Sequence, residues 1–207
     1  MRPGVRRRPT RGSTDSRSES IGRLLPAQAP ASLGLVPQLS VFIATSIDGY
    51  IADRDGRLDW LDDALLPGED QGYQAFYDSV DALAMGSGTY DFIKDHEPWP
   101  FDKPIYVFSS RSYPDRAGVT FWNRSPLEAA KHWDTSGFAK VYVDGGRLIS
   151  SFLEQGLIDD MIISTAPVLL GGGSPLFRSH GRYARARLIE TRSWPSGYVQ
   201  NSYSFEN

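Results

Sequence analysis

The chain has 207 residues, no cysteine, three histidines and a formal net charge of −3, enough length for one domain with a full hydrophobic core. The absence of cysteine excludes disulfide scaffolds, thiolate-held zinc or iron–sulfur sites and a cysteine nucleophile. The scattered His96, His132 and His180 form no metal-binding pair, the charge gives no electrostatic footprint for nucleic acid, and no apolar run reaches membrane-spanning length.

Residues 1–37 gather seven arginines against Asp15 and Glu19, with much Ser, Pro and Gly and no sustained periodicity. They are expected to form a disordered basic tail. An Arg- and Ser-rich targeting peptide is an alternative reading, and a start codon placed too early would look the same. Residues 38–207 are expected to form the single folded domain.

From Leu39 the pattern is regular. "LSVFIATSIDGYIA" (39–52) predicts a strand ending in Asp48-Gly49, and "DGRLDWLDD" (55–63) reads as a loop. Tyr73, Phe76, Tyr77 and Val80 recur at helical spacing, predicting a helix over 69–79. "VDALAMG" (80–86) is a short buried strand, 89–94 one or two helical turns, "KPIYVFSS" (103–110) and "GVTFW" (118–122) further strands. Ser125-Pro126-Leu127-Glu128 carries a cap, a first-position proline and the capping-box glutamate of a helix start. "KVYV" (140–143) is a strand leading through Asp144-Gly145-Gly146 into a helix that stops at Gly156. A strand over 158–170 runs into Gly171-Gly172-Gly173, and two antiparallel strands, 185–194 and 197–205, close the chain. Strands alternating with helices, then pairing, predict an α/β domain with a mainly parallel sheet and an antiparallel edge.

In such a sheet ligands bind beyond the carboxyl ends of the strands. Here those ends are Asp48-Gly49, "GSGT" (86–89), "SSR" (109–111) and "DGG" (144–146). All are small and polar, and two open helices, whose N-termini seat anions. Together they suit an extended phosphorylated ligand such as a dinucleotide. The common fingerprints are absent: "GSGTYD" lacks a third glycine and is not on the first strand, and there is no Walker motif.

"ATSIDGYIA" (44–52), "AMGSGTYD" (84–91), "FSSR" (108–111) and "VDGGRLISSFLEQGLIDDMIISTAPVLLGGGSPLF" (143–177) resemble the dihydrofolate reductase-like superfamily. The last segment resembles most its riboflavin-biosynthesis reductase branch, and the resemblance spans roughly residues 38–206. It implies a three-layer fold, NADPH as cofactor, and hydride transfer to a pterin-like or pyrimidine-like substrate. That substrate would be dihydrofolate, the ribosylamino-uracil phosphate of riboflavin synthesis, or another compound of that kind. Carried over by position, it places Ala44 and Ile51 at the nicotinamide, with Asp48 and Gly49 in the adjoining loop. Gly86, Ser87, Gly88, Thr89, Gly145, Gly146 and Arg147 fall near the pyrophosphate, the paired glycines so that no side chain collides with the cofactor. Ser109, Ser110 and Arg111 surround the adenosine ribose, where a 2′-phosphate would account for the arginine. Ser87 stands where the family has an arginine. The alternative is a non-catalytic nucleotide-binding relative.

Hydride transfer needs a proton donor. Asp48 is the first candidate and Asp70 the second, with Asp59, Glu69 and water also open; an ordinary Asp-Gly turn is the plain reading of Asp48. Trp60 is either a stacking wall for a flat substrate or loop packing. Gly172 and Gly173 either shape the substrate pocket or are a flexible loop, and Arg178 and His180 are candidate contacts for an anionic substrate. The expected setting is cytoplasmic, without membrane, nucleic acid or metal. The family often pairs as homodimers, for which the C-terminal strands offer open edges.

Overall fold

Strand β1 (Gln38–Thr45) lies at the centre of one sheet, parallel to β6 (Lys140–Asp144) on one side and β7 (Asp160–Thr165) on the other. Beyond β6 run β3 (Ala82–Gly86), β4 (Ile105–Phe108) and β5 (Val119–Trp122), all parallel. Beyond β7, β10 (Val199–Phe205) turns antiparallel, and β9 (Ala186–Ser193) closes that edge. The eight strands follow the order β5-β4-β3-β6-β1-β7-β10-β9. This is the dihydrofolate reductase-like arrangement expected from the sequence. It is seen in a computed structural model that describes residues 37–179 and 181–206. Nearly all of the expected basic tail, and His180, lie outside the described residues.

Strand alternation sorts side chains into two cores. Leu39, Val41, Ile43, Ala82, Ala84, Val141 and Val143 face helices α4 (Pro126–Thr135) and α5 (Gly146–Glu154). Leu83, Met85, Val107 and Tyr142 face α2 (Tyr73–Asp78) and α3 (Ser87–Ile93). The α4 start carries the capping box: the Glu128 amide donates to Ser125 Oγ, and the Ser125 amide to the Glu128 carboxylate.

The strand expected over 158–170 is the shorter β7, ending at Thr165, and three other elements depart from expectation. The strand over 39–52 breaks after Thr45, where Gly49 takes φ 81° and the Ser46 amide bonds the Tyr50 carbonyl; β2 (Tyr50–Ala52) then pairs with the short β8 (Ser174–Pro175). The stretch read as a loop holds helix α1 (Asp59–Ala64), with Asp59 and Asp62 in its first turn and Trp60 buried beneath it. Helix α2 begins at Tyr73 rather than 69, because Gln71 and Gly72 both adopt left-handed backbone (φ 54° and 83°). Among the described residues, no helix is long and apolar enough to cross a membrane, and no cluster of three or more His, Asp or Glu could hold a metal ion.

Candidate active site

The carboxyl ends of β1, β3, β4 and β6 open into one cavity of about 990 Å³. Ala44 lines it from β1 and Ile51 from β2. Gly86, Ser87, Gly88 and Thr89 line it from the β3–α3 junction, Ser109, Ser110 and Arg111 from beyond β4, and Gly145, Gly146 and Arg147 from the β6–α5 junction. Ser174 and Arg178 complete the α5 side. Thus three of the four strand-end motifs, "GSGT", "SSR" and "DGG", reach one crevice, as the parallel topology requires, whereas Asp48 and Gly49 do not line it.

The glycines divide into two kinds. A Cβ on Gly86 or Gly88 would meet nothing within 4 Å, so these two leave open space. Gly145 has φ 94°, and its Cβ would lie 2.8 Å from Thr89 Oγ1; a Cβ on Gly146 would lie 2.6 and 2.8 Å from the Pro175 and Leu176 carbonyl oxygens. The crowding that keeps 145 and 146 as glycine therefore comes from the protein's own chain. The reason expected for the pair was collision with a cofactor; the protein's own chain is already a sufficient one.

The sequence matches the RibD C-terminal domain over residues 37–200. The chain belongs to the RibD C-terminal domain family. Among similar proteins, the uncharacterized protein YwjB of Bacillus subtilis is 38% identical over 160 residues, covering 74% of this chain and 90% of YwjB. A crystallised protein assigned to riboflavin biosynthesis in Shewanella sp. PV-4 superimposes with a TM-score of 0.76 at 36% identity, covering 82% of this chain and 99% of that one. Enterococcus faecalis dihydrofolate reductase, solved with NADP(H), shares the fold at 15% identity and a TM-score of 0.58, covering 82% and 97% of the two chains. The crevice sits where the strand order puts the ends of β4, β3, β6 and β1 side by side.

Within this RibD C-terminal domain, the two acids picked from the sequence do not line the cavity. Asp48 accepts from Ser46 Oγ (2.6 Å) and from the amides of Leu170 (3.1 Å) and Gly171 (2.7 Å), and these donors hold its carboxyl below the usual carboxylate range. It fastens the 46–49 turn to the glycine loop, and an ionised carboxylate so held is a poor proton donor near neutrality. Asp70 accepts from the amides of Gly72 (2.9 Å) and Gln74 (3.3 Å) at the entry to α2, which lowers its pKa as well. Asp48→Asn is expected to lower Tm at neutral pH. Because the folded-state pKa is depressed, the wild-type advantage is present above the ordinary value of 3.8 and lost as pH falls through the lowered one. Thermal melts across that range check it.

Trp60 is buried with Ala166 and Tyr198, while its neighbours Leu58 and Leu61 reach the cavity. A Cβ on Gly172 would lie 2.7 Å from Arg54 Nε, and one on Gly173 2.0 Å from the Ala52 carbonyl oxygen, so this pair packs beneath β2. Of that loop, Ser174 and Pro175 face the crevice.

The acid that does line the cavity is Asp144, the last residue of β6. Burial pushes its carboxyl up to about 6, against the opposing pull of the Gly145 amide and the Tyr142 hydroxyl. Tyr73 lines the same wall, and burial together with the Asp144 charge pushes its phenol up to about 12. Tyr142 donates to the Phe42 carbonyl oxygen at 2.7 Å. Reading "DGG" as a strand end passed over this acid as an acid. The available signal was a carboxylate closing a strand of otherwise buried residues, where an unpaired charge is costly unless it has a task.

Proposed function

We propose that this protein is an NADPH-dependent reductase of the cytoplasm that delivers hydride to a pterin-like or pyrimidine-like ring. The carrying observation is the single cavity that joins "GSGT", "SSR" and "DGGR" to Ala44 and Ile51. The residues present suit a dinucleotide: open space over Gly86 and Gly88, hydroxyls at Ser87, Thr89, Ser109 and Ser110, and the cations Arg111 and Arg147. NADPH, when bound, supplies a hydride to one atom of a ring double bond, and the other atom then needs a proton. Asp144, poised near pH 6 and open to the cavity, is the side chain that gives it, with the Tyr73 hydroxyl alongside. Asp144 is then left as carboxylate and takes its next proton from solvent.

Titration with NADPH and NADH, followed by a screen of dihydrofolate and the aminouracil intermediate for NADPH oxidation, tests this reading. Binding of neither nucleotide at millimolar concentration would refute it. A second reading has its own observation: Ser87 leaves the β3–α3 rim without the family's arginine, as in a nucleotide binder without turnover. NADPH binding without oxidation by any acceptor would favour that.

The proposed molecule is a homodimer. All eight residues of β9 are exposed, Leu188 and Ile189 more than half, on an edge strand whose free backbone groups invite pairing. Ile189→Lys is expected to shift sedimentation from dimer to monomer. A wild-type monomer would remove the dimer from the proposal.

A further inference from the structure

Arg111 does not stand free at the cavity rim. Its amide donates to Ser109 Oγ at 2.8 Å, folding the "SSR" segment back on itself. Its guanidinium Nη2 donates to Asp91 Oδ2 at 2.5 Å. The same guanidinium sits 5.3 Å over the Tyr113 ring, and the Tyr113 hydroxyl donates to Asp91 Oδ1 at 3.2 Å. Tyr113 is itself fixed, stacked on Phe121 at 4.9 Å and set edge-on to Tyr90 at 5.1 Å. Lys94 Nζ lies 3.6 Å from Asp91 Oδ1 and offsets the acid's charge. Arg111 lines the cavity and Asp91 does not.

An arginine side chain is long and exposed, and it loses much rotamer freedom when it binds a ligand. Here one N–H is spent on Asp91 and the Tyr113 ring lies against the guanidinium, which restrains a side chain that lines the crevice and leaves further donors of its fork for a ligand. With Ser87 on the α3 side, Arg111 is the cation that the β3–β4 side of the cavity presents; Arg147 and Arg178 stand on the α5 side. We propose that Asp91 is a specificity-determining residue, holding Arg111 where its free N–H groups meet the ribose 2′-phosphate and so setting the choice of NADPH over NADH. This rests on the reading of the cavity as a nicotinamide dinucleotide site. Asp91 acts through Arg111 and touches no ligand, which makes it a positioning residue.

The test is the ratio of NADH to NADPH dissociation constants for the wild type, Asp91→Ala, Arg111→Ala and the double variant. In Asp91→Ala the preference for NADPH falls about tenfold, the equivalent of one well-aligned charge-assisted bond, while NADH affinity holds and reports an intact fold. In the Arg111→Ala background the same substitution changes nothing, because its effect passes through that side chain. An unchanged or enlarged NADPH preference in Asp91→Ala, or a loss that persists without Arg111, overturns the proposal. If the wild type binds neither dinucleotide, the site reading fails and this proposal with it. If it binds both and the ratio ignores Asp91, only this proposal fails.

Discussion

Asp144→Asn is expected to slow hydride transfer from NADPH by about a hundred- to ten-thousand-fold, the usual contribution of a positioned general acid, with nucleotide affinity little changed. In the wild type the rate should fall as pH rises past about 6, where Asp144 loses its proton. In the variant that fall should disappear. Single-turnover oxidation of bound NADPH across pH reads both. An unchanged profile in Asp144→Asn would take the proton-donor role from this residue and return it to solvent.

The same substitution has an effect that needs no substrate. Asp144 is raised from 3.8 to about 6 in the folded protein, so between those values the native state binds more protons than the unfolded chain. Stability therefore falls as pH rises from about 4 to about 6 and stays lower above, by about 1–3 kcal/mol. Asp144→Asn removes that penalty, and urea unfolding at pH 7 should show the variant more stable than the wild type. On the proposed reading, function and stability are opposed at this position, as they are where an active site holds a buried acid.

The second large effect separates the two kinds of glycine. Gly146→Ala is expected to cost about 1–3 kcal/mol of unfolding free energy, the range for overpacking. Its Cβ meets the carbonyl oxygens of Pro175, in the β2–β8 pair, and of Leu176, whose amide is bonded to the Gly49 carbonyl, and this backbone cannot swing aside as a side chain can. Gly86→Val meets open space and should leave the unfolding midpoint nearly unchanged while abolishing NADPH binding. Titration and denaturation of both variants check this. If Gly86→Val binds NADPH normally, the open space beside "GSGT" is not where the dinucleotide lies.

The local signals in this sequence were strong and came out as read. Ser125-Pro126-Leu127-Glu128 forms its capping box because every partner lies within one turn. The alternating runs in β3 and β6 became strands with one residue set in each core. "GSGT", "SSR" and "DGG" already marked strand ends, and the order of elements placed them on one edge of a parallel sheet. Where a segment's conformation is fixed by distant contacts, the sequence was silent. Helix α1 exists because Trp60 buries against Ala166 and Tyr198, more than a hundred residues on. Asp48 read as a candidate acid because the amides that occupy it, at Leu170 and Gly171, lie more than 120 residues away; those that occupy Asp70, at Gly72 and Gln74, are local and were passed over. Asp144 read as punctuation because its proton affinity comes from burial among Tyr73, Tyr142 and the cavity wall, which only the packed sheet assembles. By itself, then, the sequence determined a mainly parallel sheet with an antiparallel edge and its polar strand ends, since periodicity and turn chemistry act over a few residues; the order of the strands came from the structure. The tertiary structure decided which carboxylates are bonded out and which one faces the crevice, since desolvation and long-range hydrogen bonds exist only once the chain is folded.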